Sequence, residues 1–188
     1  MKRSYLKRFA TTVSLAATLA SCPIGIAASS DMFLKLGDIK GESLDDKHKD
    51  EIDVLAWSWG EADGTAQTRR NKAGLAVPDC IQDLSLTKFV DAATPDVIMD
   101  AVSGRVVPTA TLTVRKASAS KSPLDYLVLN LTNVSISSYT TGGSGGEDRL
   151  TENITLHFQR MEGSYRRQNP NGSAAAPVEW VVANASCR

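Results

Sequence analysis

Apolar and polar side chains alternate with a period close to two along most of the chain after residue 30. Met32, Leu34 and Leu36 alternate with Phe33, Lys35 and Gly37; Ala110, Leu112 and Val114 with Thr111, Thr113 and Arg115; Ile154, Leu156 and Phe158 with Thr155, His157 and Gln159. Such spacing puts one set of side chains on each face of an extended segment, so these runs read as half-buried strands. Similar runs predict strands over residues 52–59, 81–87, 124–139 and 178–183. The segment from Leu124 changes phase. Leu127, Leu129 and Leu131 are odd, whereas Val134 and Ile136 are even, which predicts a bulge or bend near Asn133.

One helix interrupts the pattern. Thr94 suits the N-cap, Pro95 the first helical position, Asp96 the positive end of the dipole and Gly104 the position past the last turn. A helix is predicted over about 95–103, with Ile98, Ala101 and Val102 on its apolar face. Seven or eight strands and one short helix predict a mainly β protein: a two-sheet antiparallel β-barrel or sandwich with the helix over one end or edge. Loops are expected at residues 61–78, 117–123, 140–147 and 166–177. The first, about 18 residues, exceeds the usual structureless connection.

Composition places this pattern in an ordinary folded chain, with 42% hydrophobic and 22% charged residues. The 21 basic and 21 acidic side chains balance, but not evenly along the sequence. Lys2, Arg3, Lys7 and Arg8 face no acidic residue before Asp31, which leaves 17 basic against 21 acidic side chains from there on and nothing to attract nucleic acid. The basic opening runs into apolar and small residues over 9–20 and then Pro23, the order of a secretory signal peptide. Residues 1–28 are therefore expected to be a signal peptide and 29–188 a single domain. Two processing routes stay open: cleavage after Ala27, or lipidation of Cys22 in the lipobox-like Leu19-Ala20-Ser21-Cys22. No membrane attachment is expected unless Cys22 is lipidated. The expected location is secreted or extracellular, with the periplasm as an alternative.

Candidate chemistry is sparse. Cys80 and Cys187 are either a disulfide or two free thiols, and no spacing resembles a zinc site. His48 lies in a charged run that reads as a solvated turn. His157 sits on the polar face of a strand with no nucleophile or carboxylate partner nearby in sequence. The glycine run 142–146 lacks the Gly-Lys-Ser/Thr that completes a phosphate loop and reads as a hairpin connection. Adjacent acidic pairs such as Asp45 and Asp46 lack the spaced oxygens of a calcium loop. No catalytic, cofactor or metal residue is assigned, and no enzyme activity is expected.

Five strings carry a resemblance: MFLKLGDIKGES at 32–43, EIDVLAWSWG at 51–60, QDLSLTKFVD at 82–91, LTVRKA at 112–117 and SSYTTGGSGGEDRLTE at 137–152. They resemble the haemolysin-coregulated protein (Hcp) family. The resemblance implies a tube subunit of bacterial type VI secretion, with hexameric rings that stack into a channel, carry effector toxins and are expelled with them. It implies as partners further copies of the chain, effector proteins and other type VI components, and it puts residues 61–78 at the ring-to-ring contact. Alternation puts Leu55, Trp57 and Trp59 toward the barrel core and Ser58, with Val54 and Ala56, on the opposite side. The resemblance makes that side the channel wall, so Ser58 is the candidate for touching cargo. A signal peptide departs from the family's cytosolic assembly and keeps a second reading open, an exported Hcp-like binding or structural protein outside the tube.

Overall fold

Each period-two segment becomes a strand in the computed structural model, which describes residues 30–60, 82–116, 123–146 and 148–183. Among the described residues the order is β1 (Ser30–Leu36), β2 (Ile52–Ser58), β3 (Leu84–Phe89), α1 (Thr94–Ser103), β4 (Val106–Lys116), β5 (Leu124–Gly142), β6 (Thr151–His157), β7 (Arg160–Tyr165) and β8 (Val178–Ala183). The strands pair antiparallel in the order β4, β1, β2, β3, β6, β5, and β5 returns to β4. Those six strands close a barrel, while β7 and β8 extend the sheet from the first half of β5. The expected mainly β barrel with one short helix is thus what forms.

The barrel interior is filled by the predicted alternating residues, among them Leu34, Leu36, Ile52, Leu84, Leu112 and Leu156, all with no exposed surface. Each such side chain stabilises the fold by roughly 1.5–3 kcal/mol relative to exposure. The phase change in β5 is realised where it was expected. Asn133 adopts φ 54°, a left-handed conformation that asparagine tolerates better than most residues. Leu129 and Leu131 before it, and Val134 and Ile136 after it, all reach the core.

Three expectations need correction. In β2 the register slips between Val54 and Ala56, so Val54 joins the core and Leu55 is exposed, while Trp57 and Trp59 pack inward. One extra residue in the bulge resets the alternation, and Ser58 still lies opposite Trp57. The helix begins at Thr94 with Ala93 as its cap, so Thr94 does not cap it. Asp91 instead accepts the Ala93 N–H at 2.9 Å, and Gly104 ends the helix in the left-handed conformation as predicted.

The helix also turns the other face inward. Thr94, Val97 and Asp100 are buried, whereas Ile98, Met99 and Val102 are exposed. The barrel end beneath it is polar, and the Asp100 carboxylate is held by both arms of Arg105 at 2.7 Å. Strand β7 escaped the alternation reading because its residues are mostly polar. Its Gly163 leaves room for the Trp180 indole of β8, with which an added Cβ would collide.

The connections divide between two ends. Helix α1 joins the end of β3 to the start of β4. The chain leaves β2 for β3, β4 for β5, and β7 for β8 at the opposite end of the strands.

Candidate functional site

The outer face of β2, β3, β6 and the second half of β5 carries two cross-strand rows. In one, Ser58, Ser85, Thr155 and Ser138 stand in register, and in the other Ala56, Thr87, Asn153 and Thr140. Opposite members of such rows are close enough to interact, and Thr87 donates a hydrogen bond to Asn153 Oδ1 at 2.7 Å. All eight side chains are small and uncharged. Ser58 and Ala56 are exposed at the β2 edge of this wall, as alternation suggested. The other six were missed, although Ser85/Thr87 and Asn153/Thr155 recur at period two in the sequence. A surface of this kind offers many weak hydrogen bonds and no ionic anchor.

Beside the wall, folding brings together groups that sequence kept apart. The His157 Nδ1 lies 2.9 Å from Asp83 Oδ1, and the Ser137 hydroxyl donates to the other oxygen of Asp83. A serine nucleophile requires its hydroxyl on the histidine, with the carboxylate behind the ring. Here both serine and histidine converge on the carboxylate, so the trio is an order of contacts unsuited to acyl transfer.

A buried ionic layer closes the helix end of the barrel. The Lys88 ammonium lies 2.7 Å from Glu152 and 2.6 Å from Asp91, and its two side-chain partners are 0% and 6% exposed. The Tyr139 and Thr94 hydroxyls donate to Glu152 at 2.9 and 3.1 Å. Burial and the nearby Glu152 charge raise the Tyr139 pKa above its ordinary value.

A second ionic cluster lies outside the barrel, under the β1–β2 connection. The Arg115 guanidinium, 1% exposed, bonds Asp45 at 2.7 and 2.8 Å and Asp125 at 2.6 Å. His48 stacks on Phe33 at 4.4 Å and bonds Glu51 at 2.8 Å, which replaces the solvated turn expected for it. Burial opposes the Asp45 charge, but hydrogen bonds from the Lys47 N–H, Arg115 and the His48 N–H outweigh it and hold the carboxyl below its ordinary range. For Arg115 burial likewise acts against the charge, and the two aspartates raise its pKa in spite of it.

Among the described residues no group of His, Cys, Asp or Glu is placed to hold a metal ion. Cys22, Cys80 and Cys187 lie outside the described residues, so the lipidation and disulfide expectations do too.

The family described as Type VI secretion system effector, Hcp, matches residues 33–165. Protein hcp1 of Pseudomonas aeruginosa is 46% identical over 151 residues, which cover 80% of this chain and 92% of that protein. The crystal structure of Hcp1 from Salmonella typhimurium superposes with a TM-score of 0.66 at 28% identity, covering 82% of this chain and 94% of the other. A type VI secretion system effector from Yersinia pestis gives 0.64 at 27%, covering 81% and 99%. With most of the barrel inside the matched span, the chain belongs to the Hcp family of type VI secretion proteins.

Proposed function

We propose that this chain is a tube subunit that closes into homohexameric rings, stacks into a channel and carries effector proteins past a neutral wall. The observation that supports this is the pair of small-residue rows on β2, β3, β6 and β5. A passage for diverse cargo benefits from a surface that holds each protein weakly, and charges or large apolar side chains would trap some and repel others. Ser58 stands at one edge of that wall as the cargo-touching candidate. The role needs no turnover chemistry and no cofactor. Its partners are copies of itself, effector toxins and other type VI components, and its destination is outside the cell.

Replacing Ser58 with Gln tests the reading. The variant should fold within about ±0.5 kcal/mol of wild type, since an exposed site tolerates change. It should form rings in electron micrographs yet lose a co-expressed effector in pull-downs. A monomeric mass for the wild type by light scattering at high concentration would overturn the tube reading.

One observation favours the second reading, an exported Hcp-like binding or structural protein: the basic, apolar and small-residue order of residues 1–28. The mass of the mature N-terminus separates the two. An intact Met1 supports assembly in the cytosol, whereas a lipid-bearing Cys22 or a start at Ala28 supports export to the periplasm or medium.

A further inference from the structure

The wall of small residues ends, on the side away from α1, in groups of another kind. Asp83 precedes β3 and His157 closes β6, one step past the pairing of Leu84 with Leu156, so both stand on the face that carries Ser85 and Thr155. Ser137 is the extra residue in the β5 register shift between Ile136 and Ser138, and it reaches the same carboxylate. The Asp83 and His157 side chains remain 29% and 36% exposed. At the opposite end of the wall Arg149 lies 4.0 Å over the Phe89 ring with the exposed Asp148 next to it, so that end carries both signs.

The contacts of Asp83 fix where the protons are. A carboxylate only accepts, so His157 Nδ1 carries a hydrogen and Nε2 is the atom that takes up a further proton. With Nε2 bare the pair bears a net negative charge, and with Nε2 protonated it bears none. Ser135 opposite His157, Ser137 beyond it on β5 and Thr155 on its own strand are uncharged. Asp83 is thus the charged group within ion-pair reach of the imidazole among the described residues.

We infer that Asp83 and His157 form the cargo-selecting level of the wall: an anionic belt, repeated once per subunit, that favours effectors presenting a Lys- or Arg-bearing contact surface and that weakens when His157 takes up a proton. This selection rests on the tube reading. The two rows beside the belt offer only hydrogen bonds and hold each cargo alike, so a charge at their edge is what separates one cargo from another. A concave surface of one sign focuses its field on whatever enters, which strengthens a small charge repeated around a channel. Both Asp83 oxygens are engaged, one by His157 and one by Ser137, so the carboxylate is held in place and has less ordering to undergo on contact. Histidine changes charge closest to neutral pH whereas Lys and Arg keep theirs, so in mild acid the belt responds and the cargo surface does not.

Purified rings and two fluorescent peptides of equal length, oligolysine and oligoglutamate, test the level by anisotropy at low salt. Wild-type rings should bind the lysine peptide more tightly than the glutamate peptide. Asp83→Asn, checked for folding by circular dichroism and melting, should weaken lysine-peptide binding by about fivefold or more, the upper range of a single exposed ion pair. Lowering the pH from about 8 to about 5.5 should weaken wild-type binding, and His157→Gln should remove that pH response. If the Asn variant does not fold, His157→Lys, which sets a fixed cation beside the intact Asp83, should weaken binding throughout the pH range instead. Lysine-peptide binding by the folded charge variant equal to that of wild type, a wild-type preference for the glutamate peptide, or an unchanged pH response in His157→Gln would each overturn the level while leaving the ring reading in place. A wild type that forms no ring would overturn that reading and the level together.

Discussion

The two buried ionic clusters are built from similar groups but finished differently. Around Lys88 every partner is enclosed, and carbonyl, hydroxyl and carboxylate groups surround the ammonium. Around Arg115, Arg115 Nη2 and His48 Nε2 find no hydrogen-bond partner among the described residues, His48 Nε2 standing 3.8 Å from Asp125, and the carboxylates of Asp45 and Asp125 are 27% and 33% exposed. The difference follows from what covers each. The first lies inside the barrel under a helix, where water has no access and an unpaired charge costs several kcal/mol. The second lies under an irregular connection that admits water along its edge. A cation of the same charge thus seals an end in one place and straps a loop in the other.

Three unfolding measurements can break that contrast. Lys88→Ala should cost about 3–5 kcal/mol in urea unfolding, because it strands Glu152 in the interior. The pair Lys88→Met with Glu152→Leu should recover most of the loss, and a double variant as weak as the single one would show that the layer is not a matched pair. Arg115→Ala should cost less, about 1–3 kcal/mol, since its aspartates can turn to water. A loss as large as that at Lys88 would erase the distinction.

Titration should separate the clusters by sign. The depressed Asp45 carboxyl adds stability that is full above its ordinary value of 3.8 and lost as pH falls through the lower native value. Asp45→Asn should therefore melt below wild type at neutral pH, and the gap should close in acid. The raised Tyr139 hydroxyl adds stability that is full below 10.0 and lost as pH rises through the native value. Tyr139→Phe should flatten the alkaline fall in melting temperature, and an unchanged alkaline slope would remove Tyr139 from the account. The smallest effect belongs to the exposed pair of Arg160 and Glu162, 45% and 51% exposed. Glu162→Ala should change stability by no more than about 0.5 kcal/mol.

Local features of the fold were legible in the sequence. Alternation located seven of the strands, the parity change marked Asn133, and Gly104 marked the helix end. What escaped depends on distant partners. The bulge in β2 is decided by its pairing with β3, and the helix face by the polar barrel end that Lys88 and Glu152 create 64 residues apart in sequence. The burial of His48 needs Phe33 beneath it and Asp125 beside it, and neither is signalled by a charged run. The wall of small residues was half legible. Ser58 was found through its tryptophan neighbours, whereas Ser85, Thr87, Asn153 and Thr155 looked like the ordinary polar face of a strand until the register lined them up.

Strand β5 runs 19 residues with a single left-handed residue partway along, so one strand is shared by two sets of neighbours. Its second half pairs with β6 to complete the barrel, its first half carries β7 and β8, and β4 binds across both. Local opening spreads only as far as hydrogen bonds can be released independently. Because the extension is joined to the barrel through the β5–β7 ladder alone, releasing that ladder leaves the barrel closed, and the amides of β8 should exchange through a smaller opening than those of the barrel.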